Sequence, residues 1–313
     1  MTPDLPAQIG PYRVTELIGR GGSSPVFKAV DPKSGRPVVV RLLSSHILEN
    51  PAAAKRFERE SRALMSSPHS SLVQVLYTGV EGTRPYLRPY LVTELVQGAS
   101  LDNLLKARRL SVTEILTVMK GVCRGLAHAH QHGVLHHHIS PHAILVSPDL
   151  SMVKLTEFGF TRIESLGLTG TVSTGAISLG AFHYLAPEQV ESSASADHRA
   201  DLYAVGAVFQ ELLTGHPPTG KFSLPSQSNS ELLPETDVIV LKCLARNPSE
   251  RYATALELLA DLGKLEEALR LRLLSEIRGV TQKAAAGPSK GLLIAGLVAL
   301  LIALVAAGYF LAR

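Results

Sequence analysis

Only two cysteines, Cys123 and Cys243, occur in the 313 residues. They are too few and too far apart for a disulfide scaffold or a zinc ribbon, and they fit a reducing compartment as buried apolar thiols. Charge of one sign is also lacking: 31 Lys and Arg stand against 27 Asp and Glu, a net of +4. That mild excess is not clustered as in a nucleic-acid binder, so no nucleic-acid partner is expected. The start, MTPDLPAQIG, has neither a basic cluster nor an apolar run, which argues against a signal peptide. No internal repeats occur. What is abundant is apolar sequence, 45% of the chain with only 19% charged residues, enough to bury a large core and to exclude wholesale disorder.

One run stands apart. Residues 291–311, GLLIAGLVALLIALVAAGYFL, contain no charge and no proline. At 1.5 Å per residue this run reaches roughly 31 Å, the thickness of a bilayer hydrocarbon core. Lys283 and Lys290 precede it and only Arg313 follows, so the positive-inside bias leaves the preceding residues in the cytoplasm. The expectation is a single-pass, tail-anchored membrane protein. Between Lys264 and Lys290 lie six cations and three acids, a stretch suited either to anionic lipid or to a solvated capping helix.

Residues 12–96 read as strand-rich, with runs at 12–18, 26–30, 38–43, 73–78 and 90–95 separated by Gly, Pro and Asp punctuation. A helix over 52–66 interrupts them, opened by Pro51. From Ser100 the pattern turns helical: Leu101, Leu104 and Leu105 form one stripe, and Ile115, Val118, Met119, Val122 and Leu126 another. The nearly all-apolar stretch 202–213 predicts a buried central helix. Residues 160–180 form no periodic element and read as a long functional loop, and 262–280 as a final helix with a short linker at 284–289.

The first chemical signal is GRGGSSPVFKA, a glycine-rich turn between two strands, which lets backbone N–H groups approach phosphates. Arg41 ends a following strand of the same sheet, and Glu60, nineteen residues later on the helix, is placed to pair with it.

At this point the sequence resembles the protein kinase family, in particular the bacterial serine/threonine kinases, over residues 12–265. GRGGSSPVFKA is similar to the glycine-rich loop, VVVRL to the strand bearing the ATP-anchoring lysine, and FERESRAL to the helix bearing its glutamate partner. YLVTELVQG resembles the hinge, HHHISPHAIL the catalytic loop, and KLTEFGF the metal-binding turn. LAPEQV resembles the end of the activation segment, RADLYAVGAVFQELLTGHPP the buried central helix, and CLARNPSERYAT the late arginine motif.

The resemblance implies an α+β, two-lobed fold with an antiparallel sheet lobe and a mainly helical lobe, and the apolar run adds one C-terminal transmembrane helix. Its expected parts are a leader (1–11), an N-lobe (12–97), a C-lobe (98–270), a basic juxtamembrane linker (271–290) and the membrane helix (291–311). A nucleotide site follows by position: Gly19, Gly21, Val26, Val39, Arg41, Glu60, Glu94, Val96 and Glu157.

The family's chemistry rests on a lysine at the phosphates, Asp and Asn ligands for magnesium, and an Asp that accepts the hydroxyl proton. Here Arg41 stands in the place of the lysine, His138 of the proton-accepting Asp, Ser140 of the lysine two residues on, and Ala143 of the Asn. Glu157 replaces the Asp of the metal-binding turn, His137 the arginine that senses loop phosphorylation, and Ala181 a threonine that supports the catalytic loop. Ser24 takes the third glycine's place, and Val39 that of the small residue against adenine. Framework positions are kept: Glu60, His136, Phe158, Gly159, Pro187, Glu188, Asp201, Gly206 and Arg251, with Glu188 implied to pair with Arg251 and Asp201 to tie the catalytic loop to the central helix.

This contrast is the signature of a pseudokinase: a signalling scaffold or allosteric module engaging protein partners, such as an active kinase or its substrate, with no cofactor expected. The alternative is an atypical active serine/threonine kinase that uses Arg41, Glu157 and His138 with ATP and magnesium. Seven of twelve histidines fall within 128–142, but no cysteine or acid joins them, and no metal site is expected there.

Overall fold

β-branched and aromatic residues alternating with polar ones give strands with one face for the core and one for a cleft. In the computed structural model, which describes residues 5–21, 24–83, 86–158, 179–191, 196–220, 222–229 and 231–285, these form a six-stranded antiparallel sheet. Its strands are β1 (Gln8–Ile9), β2 (Tyr12–Gly21), β3 (Ser24–Val30), β4 (Pro37–Leu42), β5 (Val75–Glu81) and β6 (Arg88–Glu94), in the order β1-β2-β3-β4-β6-β5. Tyr12, Val14, Phe27, Ala29, Val38, Val40, Tyr90 and Val92 fill the core on one face. Strict alternation puts Val26, Val39 and Arg41 on the other face, with Val26 opposite Arg41 and Val39 opposite Thr93.

Each strand run differs from the sequence pattern at one end or both, and two of the differences have a visible cause. β2 runs on to Gly21 because Gly21 pairs with Ser24 across the hairpin. β5 starts at Val75 because the Val73 N–H is already given to the Leu155 carbonyl (2.8 Å).

A short helix α1 (His46–Glu49) leads into α2 (Pro51–Ser66). Asn50 caps α2 by accepting from the Ala52 and Ala53 N–H groups, and Pro51 sits in the first turn, where its missing N–H costs nothing.

The helical lobe begins with α3 (Leu101–Ala107) and α4 (Val112–Gln131). A reciprocal Ser111–Glu114 capping box starts α4, whose stripe Ile115, Val118, Met119, Val122 and Leu126 is buried as its spacing requires. A second sheet of β7 (Ala99–Ser100), β8 (Ile144–Val146) and β9 (Val153–Leu155) holds the loops of the candidate site.

After α5 (Pro187–Glu191) comes the central helix α6 (His198–Thr214), capped by Asp197 and ended by Gly215 in the left-handed conformation (φ 84°). It is buried on nearly every side and packs on α8 (Pro234–Cys243), which follows the short α7 (Pro225–Ser228). The approach requires glycine at Gly206, since a Cβ there would stand 2.2 Å from Cys243 Cβ. Cys123 and Cys243 are both buried thiols, and burial pushes the Cys123 thiol up to about 12.

The last helix, α9 (Ala255–Ala285), starts earlier than the expected 262 and runs five residues past 280, into the first two residues of the short linker expected at 284–289. The chain divides into two compact units after Leu262, inside α9. Among the described residues no helix is long and apolar enough to cross a membrane; the run 291–311 lies outside them, as do Gly159 and nearly all of the loop over 160–180.

Candidate active site

Three pieces of chain meet under the sheet: the cleft face of β4, the loop between α4 and β8, and the turn after β9. Backbone bonds lock the last two together. The His136 ring donates through Nε2 to the Thr156 carbonyl (2.8 Å), and the Thr156 N–H donates to the Ala143 carbonyl (3.0 Å). Both ends of the loop therefore grip the residue before Glu157. His136 is fully buried with its ring 4.5 Å from that of Phe158, and burial lowers its pKa to about 4.

Asp201, inside α6, anchors the loop from below. Its Oδ2 accepts from the His136 N–H (2.9 Å) and pairs with His130 Nε2 (2.9 Å), while Oδ1 accepts from the His137 N–H (2.6 Å). Burial alone would raise its pKa, but the His130 bond and the neighbouring imidazoles hold it well below the usual carboxylate range. His137 is in the left-handed region (φ 61°), and its carbonyl accepts from Gln189 Nε2 (3.0 Å). The implied tie between loop and central helix is thus present, and so is the other implied pair. The Arg251 guanidinium holds both Glu188 oxygens (2.6 and 2.8 Å) and also donates to the carbonyls of Ala245, Arg199 and Arg246.

At the cleft the structure departs from expectation. Arg41 does not meet Glu60; its Nη2 donates to Oε1 of Glu157, with side-chain exposures of 14% and 9%. Glu157 takes φ 66°, a conformation that costs a non-glycine residue about 1 kcal/mol or more. Burial pushes its carboxyl up, but Arg41 first and then His142 pull it down further, so it stays ionised. Glu60 is claimed instead by Arg56, one turn earlier on α2 (2.7 Å), with Arg59 at 3.8 Å. Local i,i+4 pairing wins over a partner across the cleft, and Glu60 Oε2 stays buried with no hydrogen-bond partner among the described residues.

His138 lies beside this pair. Both ring nitrogens are buried and have no hydrogen-bond partner among the described residues. Burial lowers its pKa against the pull of Glu157, which leaves a neutral imidazole with a lone pair to offer. Ser140 precedes a 3-10 turn (Pro141–Ala143), and Ala143 is fully buried with only a methyl to present. A methyl cannot ligate a hard cation, and the Glu157 oxygen is already engaged by Arg41, so the residues present do not fit magnesium held by an Asp and Asn pair.

Gly19 stands opposite Val26 at the sheet's end, with nothing within 4 Å of where a Cβ would be, and Gly21 closes the hairpin to Ser24. At the hinge the Glu94 side chain accepts from Lys154 Nζ (2.6 Å) and the Gln74 N–H (2.9 Å), joining β6 to β9; Val96, two residues on, is half-buried. Sequence reasoning missed the Glu94–Lys154 pair, because residues sixty positions apart leave no periodic trace.

The histidines disperse. His128 and His132 bond the Ser67 hydroxyl (2.6 and 2.9 Å), His130 meets Asp201, and His136 meets Thr156. Among the described residues no three His, Cys, Asp or Glu side chains are grouped to hold a metal ion.

Comparisons with known proteins agree with this geometry. The family model described as a protein kinase domain matches residues 12–275. The chain is 34% identical over 272 residues to the serine/threonine-protein kinase PknB of Mycolicibacterium smegmatis, covering 82% of this chain and 43% of that protein. It is 36% identical over 275 residues to the serine/threonine-protein kinase PknL of Mycobacterium tuberculosis, covering 83% and 67%. The chain thus spans less than half of PknB and about two thirds of PknL. The crystal structure of the Mycobacterium tuberculosis PknI kinase domain superposes with a TM-score of 0.65 at 22% identity, covering 82% of this chain and 97% of that one, which shows the shared fold. The expectation of an inactive scaffold is overturned by these relatives: proteins at this level of identity carry the name of serine/threonine-protein kinases, which favours the active alternative. With the match spanning both lobes and both implied framework pairs in place, the chain belongs to the protein kinase domain family.

Proposed function

We propose that the chain is an ATP-dependent serine/threonine protein kinase with a rebuilt catalytic centre. The observation that carries this reading is the meeting of Arg41, Glu157 and His138 under the sheet: a fixed cation, an ionised carboxylate and a neutral base whose two nitrogens have no partner among the described residues. The names of the relatives support it. Phosphoryl transfer asks little covalent work of a protein; positioning and charge stabilisation do most of it.

In the proposed reaction a serine or threonine hydroxyl attacks the γ-phosphorus. The new P–O bond forms as the bond to the β–γ bridging oxygen breaks, ADP leaves, and the hydroxyl proton passes to His138. Arg41 contributes its charge to the phosphates, Glu157 orients Arg41, and Glu94 with Val96 forms the hinge against the base. The Glu157 position relative to Arg41 depends on the Asp201 and His136 framework.

The test is label transfer from γ-labelled ATP by the full chain, with phosphoamino-acid analysis. Label is expected on serine or threonine, and His138→Ala should lower the rate by about 10² to 10⁴, the usual contribution of a positioned base. No label above a heat-inactivated control would overturn the reading.

The apolar run 291–311 and its preceding lysines support a membrane-spanning segment with the kinase domain on the cytoplasmic side. Retention in the membrane pellet after alkaline extraction is expected, and loss of retention when 291–311 is deleted.

A further inference from the structure

We propose that the Arg41 guanidinium, held by Glu157, takes the bridging place of a divalent cation, so that the cleft binds the nucleoside triphosphate as the free polyanion. The inference rests on the ATP reading above and deepens it by naming the form of the substrate.

Two facts carry it. First, the carboxylate that should carry a metal is already neutralised by a cation of the protein itself: Arg41 Nη2 donates to Glu157 Oε1, with both side chains largely buried. A divalent ion entering there would face the guanidinium at close range. Second, the other position able to hold such an ion is a buried alanine, Ala143. The site has thus lost one ligand and capped the other.

The geometry of arginine then supplies what is missing. A guanidinium is a planar fork of five donors, and one Nη group suffices for Glu157. The remaining edge is a planar fork that matches phosphate oxygens bidentately, where an ammonium would offer a point charge without that fixed geometry. A cation fixed between a protein carboxylate and phosphate is the electrostatic arrangement a bound metal provides, and here it is built from side chains alone. Competing acids are removed: Glu60 is taken by Arg56, and Glu94 by Lys154. Ser140 stands where the resemblance implies a second cation, so that position adds no charge beside Arg41.

Calorimetric titration of the full chain with ATP, in EDTA and then in millimolar magnesium, tests this directly. The expected result is an affinity equal in the two media within about threefold. Arg41→Lys, which keeps the charge and loses the fork, should weaken binding in EDTA by at least tenfold. Wild-type binding that is tenfold or more tighter with magnesium, or an Arg41→Lys affinity in EDTA equal to wild type, overturns the bridging role while leaving the ATP reading in place. Absence of binding in both media overturns the ATP reading and the inference with it.

Discussion

Breaking the Arg41–Glu157 pair in a double-mutant cycle is the perturbation most revealing of how the cleft is held. The side chains are 14% and 9% exposed, between a surface pair and a fully buried one. Exposed pairs couple by about 0.2–1 kcal/mol, and loss of one partner from a buried pair costs about 3–5 kcal/mol. The coupling here should fall near 2 kcal/mol, between those two ranges. Glu157→Ala alone removes the carboxylate and leaves the guanidinium beside His138 and His142, so it should cost about the same. For a domain of this size that is a fall in Tm of roughly 4–8 °C. Urea unfolding of the wild type, Arg41→Ala, Glu157→Ala and the double variant gives the four free energies, with an unchanged m-value as the check on two-state behaviour. The same cycle between Arg41 and Glu60 should return a coupling near zero, because Arg56 holds Glu60. A coupling under about 0.5 kcal/mol for Arg41 with Glu157, or a larger one for Arg41 with Glu60, would refute the pairing on which the cleft chemistry depends.

Other outcomes follow from the framework. Glu188→Ala strands the Arg251 guanidinium, whose side chain has no exposure, but three backbone carbonyls remain as acceptors; unfolding should show a loss near the lower end of the buried-pair range, about 3 kcal/mol. Gly206→Ala sets a methyl against Cys243 Cβ and should destabilise by about 1–3 kcal/mol, seen as a lower urea midpoint at constant m. His136 has a folded pKa of about 4, below the usual 6.5 of an unfolded histidine, so the folded state binds fewer protons between those values. Stability should be intact above pH 6.5 and fall as the pH drops toward 4, by about 3 kcal/mol in all, and His136→Asn should flatten that window in a pH series of unfolding curves.

Periodicity made the architecture legible. The stripe of α4 and the apolar central helix form where their spacing places them, and each strand run of the first lobe forms with its ends shifted by one to three residues, because burial of one face decides each element. Framework pairs were legible through the resemblance, as with Glu188 and Arg251. The partner of Arg41 was not. Its pairing is set by the left-handed turn at Glu157, 116 residues away, and by local competition from Arg56 for Glu60, and neither leaves a mark in spacing along the chain. Substitutions at Arg41, His138, Ala143 and Glu157, read one at a time, looked like losses. Brought together, two of them form an ion pair and a third is a neutral base beside it. The final helix expected over 262–280 continues to Ala285, since good helix formers dominate it and no proline interrupts it before Pro288.

The most direct test is the thermal stabilisation of the full chain by ATP, compared between wild type and Arg41→Ala. At a nucleotide concentration about one hundred times the dissociation constant the wild type should gain about 2.7 kcal/mol, and the variant under the same conditions should gain little or nothing. An equal shift in both proteins, or none in the wild type at millimolar ATP, would contradict a cleft that holds the triphosphate through Arg41.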